Sequence, residues 1–387
     1  MKRISRNNAC VLLLLMAMLL IVSCEKMILG PQESIPPRSV MQSSKLATIL
    51  DSFRVVLDLP ALAGAIVTDT GIVDAQAVGS RRYLGPVNVT VNDQFHLGSN
   101  TKAITAVLIG ILIDQKLLDW TTTLPEVFPE YAASMRSEYK NVTVLDLLSH
   151  SSGFMRDPII SWDGQSACDK RGKMVTWALV QPPATERGKF LYSNLGYCIL
   201  GAIAEKVTNR PYEEILIEKV MQPLGIHSAG FGAMGNPGLE DQPLQHTDGR
   251  SPIEPTTDAD LDPVYSPAGR LHMNILDWAK YIRWVLAAEE GHQSLVSAKT
   301  ARILTTPQLM GDGGVYYACG WNVYNTDWAG GKTISHNGSN GYNCSMAALA
   351  PNKHFAVIAT SNVGPGKRVN PIDPVAWRLI QFYLYKR

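Results

Sequence analysis

The sequence predicts a mixed α/β fold of the α+β kind, with a sheet assembled from both ends of the chain and a largely helical region inserted between them. Three observations lead there. Strand-like stretches separated by turn residues cluster at residues 61–79 and again beyond residue 320. The middle of the chain reads as helix and loop, rich in Pro, Gly and Ser, and no boundary within residues 40–387 is sharp enough to separate two domains. Of the 387 residues, 46% are hydrophobic and 18% charged, enough apolar material for a sizeable core and too much for global disorder. With 35 Lys+Arg against 34 Asp+Glu there is no basic field to attract nucleic acid.

In chain order, Lys2, Arg3 and Arg6 precede an uncharged, mostly apolar run at 9–23, the pattern of a secretory signal. The run is shorter than the about 20 residues a permanent bilayer-spanning helix needs. It ends Ile21-Val22-Ser23-Cys24, which resembles a bacterial lipobox, so residues 1–23 are expected to be removed and Cys24 lipidated. Residues 24–39 then form a tether that holds the body, residues 40–387, at a membrane of the cell envelope. Residues 43–57 read as an amphipathic helix, 61–67 and 71–79 as strands around a turn at Thr68-Asp69-Thr70, and 99–118 as a helix apolar on all sides and therefore central. Helical patches follow at 142–148, 173–180, 196–208, 212–221 and 276–288. Strands are expected at 321–324, 333–336, 344–349 and 355–360, and a closing helix at 374–385. Cys168, Cys198, Cys319 and Cys344 allow three full pairings; Cys198 and Cys344 lie in apolar stretches that suit buried free thiols, which is the expectation for the set.

Most short motifs fail on context. Residues 230–235 have the spacing GxGxxG, but no apolar strand precedes them and Asn236-Pro237-Gly238 follows where a helix should start. Gly331-Lys332-Thr333 ends like a P-loop without its first glycine, and neither GxSxG, CxxC nor HExxH occurs. No cofactor or metal is implied. What survives is Ser99-Asn100-Thr101-Lys102 at the start of the apolar helix, whose i, i+3 spacing puts hydroxyl and amine on one face. A serine is a weak nucleophile without a neighbouring base. Lys102 can be that base only when neutral, and moving an amine from about 10.4 to 7 costs roughly 4–5 kcal/mol, a shift that burial on such a helix produces.

Further along stand Tyr192-Ser193-Asn194 and, ending a strand, His336-Asn337-Gly338. Ser-x-x-Lys, Tyr-x-Asn and a basic residue-x-Gly in this order resemble the serine β-lactamase and penicillin-binding-protein superfamily, most nearly its class C-like branch of D-alanyl-D-alanine carboxypeptidases, D-aminopeptidases and esterases. Phe95-His96-Leu97-Gly98, Leu147-Leu148-Ser149-His150-Ser151-Ser152-Gly153, Ser266-Pro267-Ala268-Gly269 and Tyr317-Ala318-Cys319-Gly320-Trp321 are similar to the same family, so the likeness runs from about residue 43 to 385. The resemblance implies a central antiparallel sheet flanked by terminal helices. It also implies an acylated Ser99, with Lys102 and Tyr192 handling its proton in an order left open. Asn194 would bond Lys102 and the substrate amide. His336 and Gly338 would line the substrate site, and the backbone N–H groups of Ser99 and Ser339 would form the oxyanion hole. His96, His150 and His272 are expected to pack rather than react.

One position departs from the pattern: His336 stands where β-lactamases and most transpeptidases carry Lys. An unperturbed imidazole is mostly neutral at pH 7, which turns the expectation from β-lactams towards peptides containing D-amino acids or small esters, with cell-wall peptide among them. It also leads to the expectation that carboxylate-bearing substrates bind better below about pH 6.5. A binding lipoprotein without catalysis and a weak class C-like β-lactamase are the rival readings.

Overall fold

Alternation along two strands near the ends of the chain builds the centre of the molecule. The structure, a computed structural model, describes residues 44–385 apart from 159, 248–249, 293 and 366–369. The expected signal, Cys24 and the tether lie outside the described residues. Strand β1 (Ala61–Thr68) sits between β2 (Ile72–Gly79) and β13 (Phe355–Ser361), both antiparallel to it. Ala61, Ala63, Ala65 and Val67 face one core, while Leu62 and Ile66 face a second on the other side. The same period of two sends Ala356 and Ile358 of β13 one way and Phe355, Val357 and Ala359 the other. Gly64 lets the helical layer press close, for a Cβ there would lie 3.1 Å from Leu50 and 3.2 Å from Leu379.

The sheet continues through β12 (Cys344–Ala350), β11 (Gly331–Ser339), β10 (Asn322–Thr326), β9 (Tyr316–Tyr317) and β8 (Leu309–Met310), giving the order β2-β1-β13-β12-β11-β10-β9-β8 with every neighbour antiparallel. Helices α1 (Lys45–Val56) and α7 (Ile372–Tyr385) cover one face with Leu46, Leu50, Leu379 and Ile380. The other face meets α5 (Ile275–Glu289), and α2 (Thr101–Asp114) and α4 (Asn194–Thr208) share the core on that side, the inserted region being completed by α3 (Ala167–Ala178) and α6 (Ala298–Thr305). This is the expected architecture: a large antiparallel sheet, terminal helices and a helical insertion.

Differences are local and have local causes. The apolar helix begins as a 3₁₀ turn at Gly98–Asn100 and ends at Asp114 rather than residue 118. Lys116 takes a left-handed φ of 64°, and the Asp114 carboxylate accepts from Ser297 N, Ser297 Oγ and Thr300 Oγ1. These bonds start α6, a helix absent from the sequence expectation. Helix α3 starts six residues before residue 173 because the Ser166 hydroxyl caps it by accepting from Asp169 N. The GxGxxG stretch contains β4 (Gly230–Phe231), which joins β3 (Gln94–His96) and β7 (Leu271–Asn274) in a small sheet ordered β3-β7-β4. Its first glycine is required by packing, since a Cβ would stand 2.3 Å from His272 Nε2. A two-stranded ribbon, β5 (Gln245–His246) with β6 (Pro252–Ile253), completes the strands. Cys168, Cys198, Cys319 and Cys344 are free thiols.

Candidate active site

Every residue of α2 from Thr101 to Ile113 is buried, and Lys102 is among them. Its stem has no exposed surface, and Nζ donates to Ser99 Oγ (3.1 Å) and to the Ala268 carbonyl (2.7 Å). Burial brings the amine down from the usual 10.5 to about 7. Ser99 itself, half-buried, lies in the 3₁₀ turn just before α2, where backbone N–H groups lack intrahelical partners. The turn is tied on all sides. Leu97 N–H donates to the Leu271 carbonyl, Gly98 N–H to His96 Nδ1, and Asn100 Nδ2 to Ser345 Oγ, which in turn donates to the Leu97 carbonyl.

Tyr192 stands beside this pair. Its ring centroid is 4.9 Å from Lys102 Nζ, and its hydroxyl neighbours the Ser99 side chain. Burial pushes the phenol well above its usual 10, so it rests as a neutral hydroxyl. Ser193 begins α4 by accepting Gly196 N–H, which sets Tyr192 at the mouth of the helix. His150 backs the phenol at 4.3 Å between ring centroids, and its Nδ1 accepts the Ser193 N–H. It does not bond Ser99, which fits the packing role expected of it.

The third motif arrives on β11. The β10 ladder ends at the pair Asn322–Ser335, so residues 336–339 pair only with β12 and leave their other edge without a strand. That stretch runs against the Ser99 turn so closely that a Cβ on Gly338 would lie 1.9 Å from the Leu97 carbonyl, and one on Gly98 (φ 51°) 2.2 Å from Ser339 N. Ser99, Lys102, Tyr192, Gly338 and Ser339 therefore converge.

Two expectations need correction. Asn194 does not reach Lys102: its Nδ2 donates to Asp157 Oδ1 (2.8 Å), because the 156–157 loop crosses the start of α4. His336 is not a titrating cation near pH 6.5. It is buried, its Nδ1–H donates to the Asn337 carbonyl (2.6 Å), and Nε2 accepts from the Tyr317 hydroxyl (3.2 Å). Burial and the neighbouring Lys102 charge take it down to about 3, so it is neutral near pH 7. The expectation of tighter carboxylate binding below pH 6.5 falls with that. Groups not assigned a role from the sequence are the Ala268 carbonyl, the Tyr317 hydroxyl, and Arg156, whose guanidinium stands 5.1 Å from the Tyr192 ring. The first two lie in stretches already noted as family-like; for Arg156 nothing in the sequence pointed to the site. Among the described residues Asp69, Glu290 and His354 could offer metal ligands, but they meet at the end of β12 remote from Ser339.

The fold and this convergence define a protein of the β-lactamase and penicillin-binding type. The chain belongs to the beta-lactamase family, whose model matches residues 51–381, and that is a family of hydrolases. It is 27% identical over 334 residues to penicillin-binding protein 4 of Amycolatopsis lactamdurans, covering 81% of this chain and 84% of that one. It is 26% identical to an unguisins hydrolase of Aspergillus campestris, covering 75% of this chain but only 57% of the fungal protein's length. The solved D-alanine carboxypeptidase AmpC from Burkholderia cenocepacia superposes with a TM-score of 0.70 at 17% identity, over 88% of this chain and 98% of that one.

Proposed function

We propose that the protein is an envelope-anchored serine hydrolase that forms an acyl-enzyme on Ser99 and acts on peptides containing D-amino acids or on small esters. The observation that carries this reading is the amine of Lys102, buried, about half neutral near pH 7 and 3.1 Å from the Ser99 hydroxyl. Neutral Lys102 takes the Ser99 proton as Oγ attacks the substrate carbonyl. Of the two candidate bases it is the one whose protonation changes near neutral pH, since Tyr192 holds its proton. The Ser99 and Ser339 N–H groups receive the oxyanion, a contribution of roughly 3–4 kcal/mol to the barrier. Tyr192, next to Ser99 and Lys102, passes a proton to the leaving group and recovers one from Lys102; water then releases the acid. Neutral His336 supplies no cation for a carboxylate, which disfavours efficient β-lactam turnover. Cys24, in its lipobox-like context, is the residue that would carry the lipid and hold the enzyme at the membrane.

The test uses protein lacking residues 1–24, labelled with a fluorescent fluorophosphonate and, separately, a fluorescent penicillin. Fluorophosphonate labelling that disappears in Ser99→Ala is expected. Penicillin labelling beside it points to cell-wall D-peptides, and its absence to esters or aminopeptidase substrates. Folded protein that takes neither label would favour a binding role without catalysis.

A further inference from the structure

A buried chain of hydrogen bonds outside the proton-handling groups joins the two backbone segments that flank the reaction centre. Its hub is Asp260, whose side chain is 1% exposed. Oδ2 accepts from His96 Nε2 (3.0 Å) and Oδ1 from Asn340 Nδ2 (2.7 Å). His96, also without exposed surface, accepts the Gly98 N–H on its other nitrogen at 3.0 Å. A neutral ring with its proton on Nε2 serves both contacts at once. Asn340 gives its second amide hydrogen to Gln245 Oε1 (2.6 Å), while its Oδ1 accepts from the N–H groups of Tyr342 and Asn343 and pins the turn that leaves β11.

The two arms end at particular places. Gly98 immediately precedes Ser99, and Asn340 immediately follows Ser339. A single carboxylate thus holds, through one side chain on each side, the neighbours of both backbone donors assigned above to the oxyanion. Burying an ionised carboxylate is costly, and apolar packing of the same volume is often as stable. Partial compensation comes from Arg270, whose Nε lies 3.5 Å from Oδ2.

We propose that Asp260 is a positioning residue that sets the separation of the Ser99 and Ser339 N–H groups, acting through His96 and Asn340. The proposal rests on the reading of Ser99 as nucleophile. Donors of this kind act only within about 2.7–3.1 Å of the developing charge, and loss of one lowers kcat about 10²–10³-fold. Loosening both should therefore be felt in the transition state and hardly in the bound substrate.

In the full chain, Asp260→Asn turns an NH₂ towards one of two donors and breaks one arm whichever way it lies. With p-nitrophenyl butyrate as substrate, kcat is expected to fall about 10–100-fold with KM within about twofold. The Ki of phenylboronic acid, whose tetrahedral adduct on Ser99 places an oxygen between the two donors, should rise by the factor that kcat/KM falls. The acid limb of the pH profile should stay in place because Lys102 is untouched. Asn340→Ala should behave likewise, and His96→Gln, which keeps one acceptor and one donor, should show a smaller loss. These two carry the test if Asp260→Asn does not fold. Boronate affinity and kcat unchanged in folded variants would overturn the proposal, as would a rise in KM alone or losses that merely track the unfolded fraction. A Ser99→Ala protein that retains wild-type turnover would instead overturn the nucleophile assignment beneath it.

Discussion

Lys102 concentrates the physical conflict at the residue scale. The unfolded chain holds this proton up to about pH 10.5 and the folded one only to about 7, so the amine opposes folding below pH 7, and the penalty is relieved as pH rises through that interval. Lys102→Met should abolish hydrolysis and stabilise the protein at pH 7 by up to about 4–5 kcal/mol, read from urea denaturation. In the wild type, kcat/KM should climb with pH through a midpoint near 7, while KM for a carboxylate-bearing substrate stays flat between about pH 5.5 and 8 because His336 remains neutral throughout. A KM that drops on acidification would show that His336 titrates. Lys102 was legible because burial on a helix apolar all round follows from the local pattern. The state of His336 and the partner of Asn194 were not, since they depend on Tyr317 and Asp157, which no local pattern brings to those positions.

At the scale of elements, the long periodic segments are legible, as are the short helices at 144–148 and 212–221 and the strand at 322–326, whereas the shortest strands are not. Helices α1, α4, α5 and α7 and strands β1, β2, β11, β12 and β13 fall where periodicity put them, within a few residues. The two- to four-residue strands β3, β4 and β7 carry too little sequence for any period, though they place His96 and His272. Helix α6 is short and depends on the carboxylate of Asp114, far away in the chain. The contact of β11 with the Ser99 turn is expected to be unforgiving: Gly338→Ala should cost about 1–3 kcal/mol through overpacking and lower kcat as well, measured by thermal melts and ester turnover. Ser297→Ala offers the contrast, with about 1 kcal/mol lost from the start of α6 and turnover unchanged.

For the whole molecule, the class of fold was legible because strand-like stretches lie at both ends of the chain. Their order in the sheet was not, since nothing local says that β13 inserts between β1 and β12. The proposed attachment belongs to this scale too. Cys24→Ala is expected to move the protein from the membrane to the soluble fraction and to stop incorporation of labelled palmitate, without altering kcat on a soluble ester. Membrane recovery equal to wild type would refute the anchor.

Position in the sheet also has a meaning in time. Ala61 bonds Asn362 across 301 residues, and the strand that faces Ser99 leaves the ribosome long after Ser99 does. A chain cut short between residues 102 and 331 has Ser99 and Lys102 but lacks the strand that stands opposite them. On the proposed mechanism such a copy lacks one of its two oxyanion donors, and is expected to be inert rather than indiscriminate.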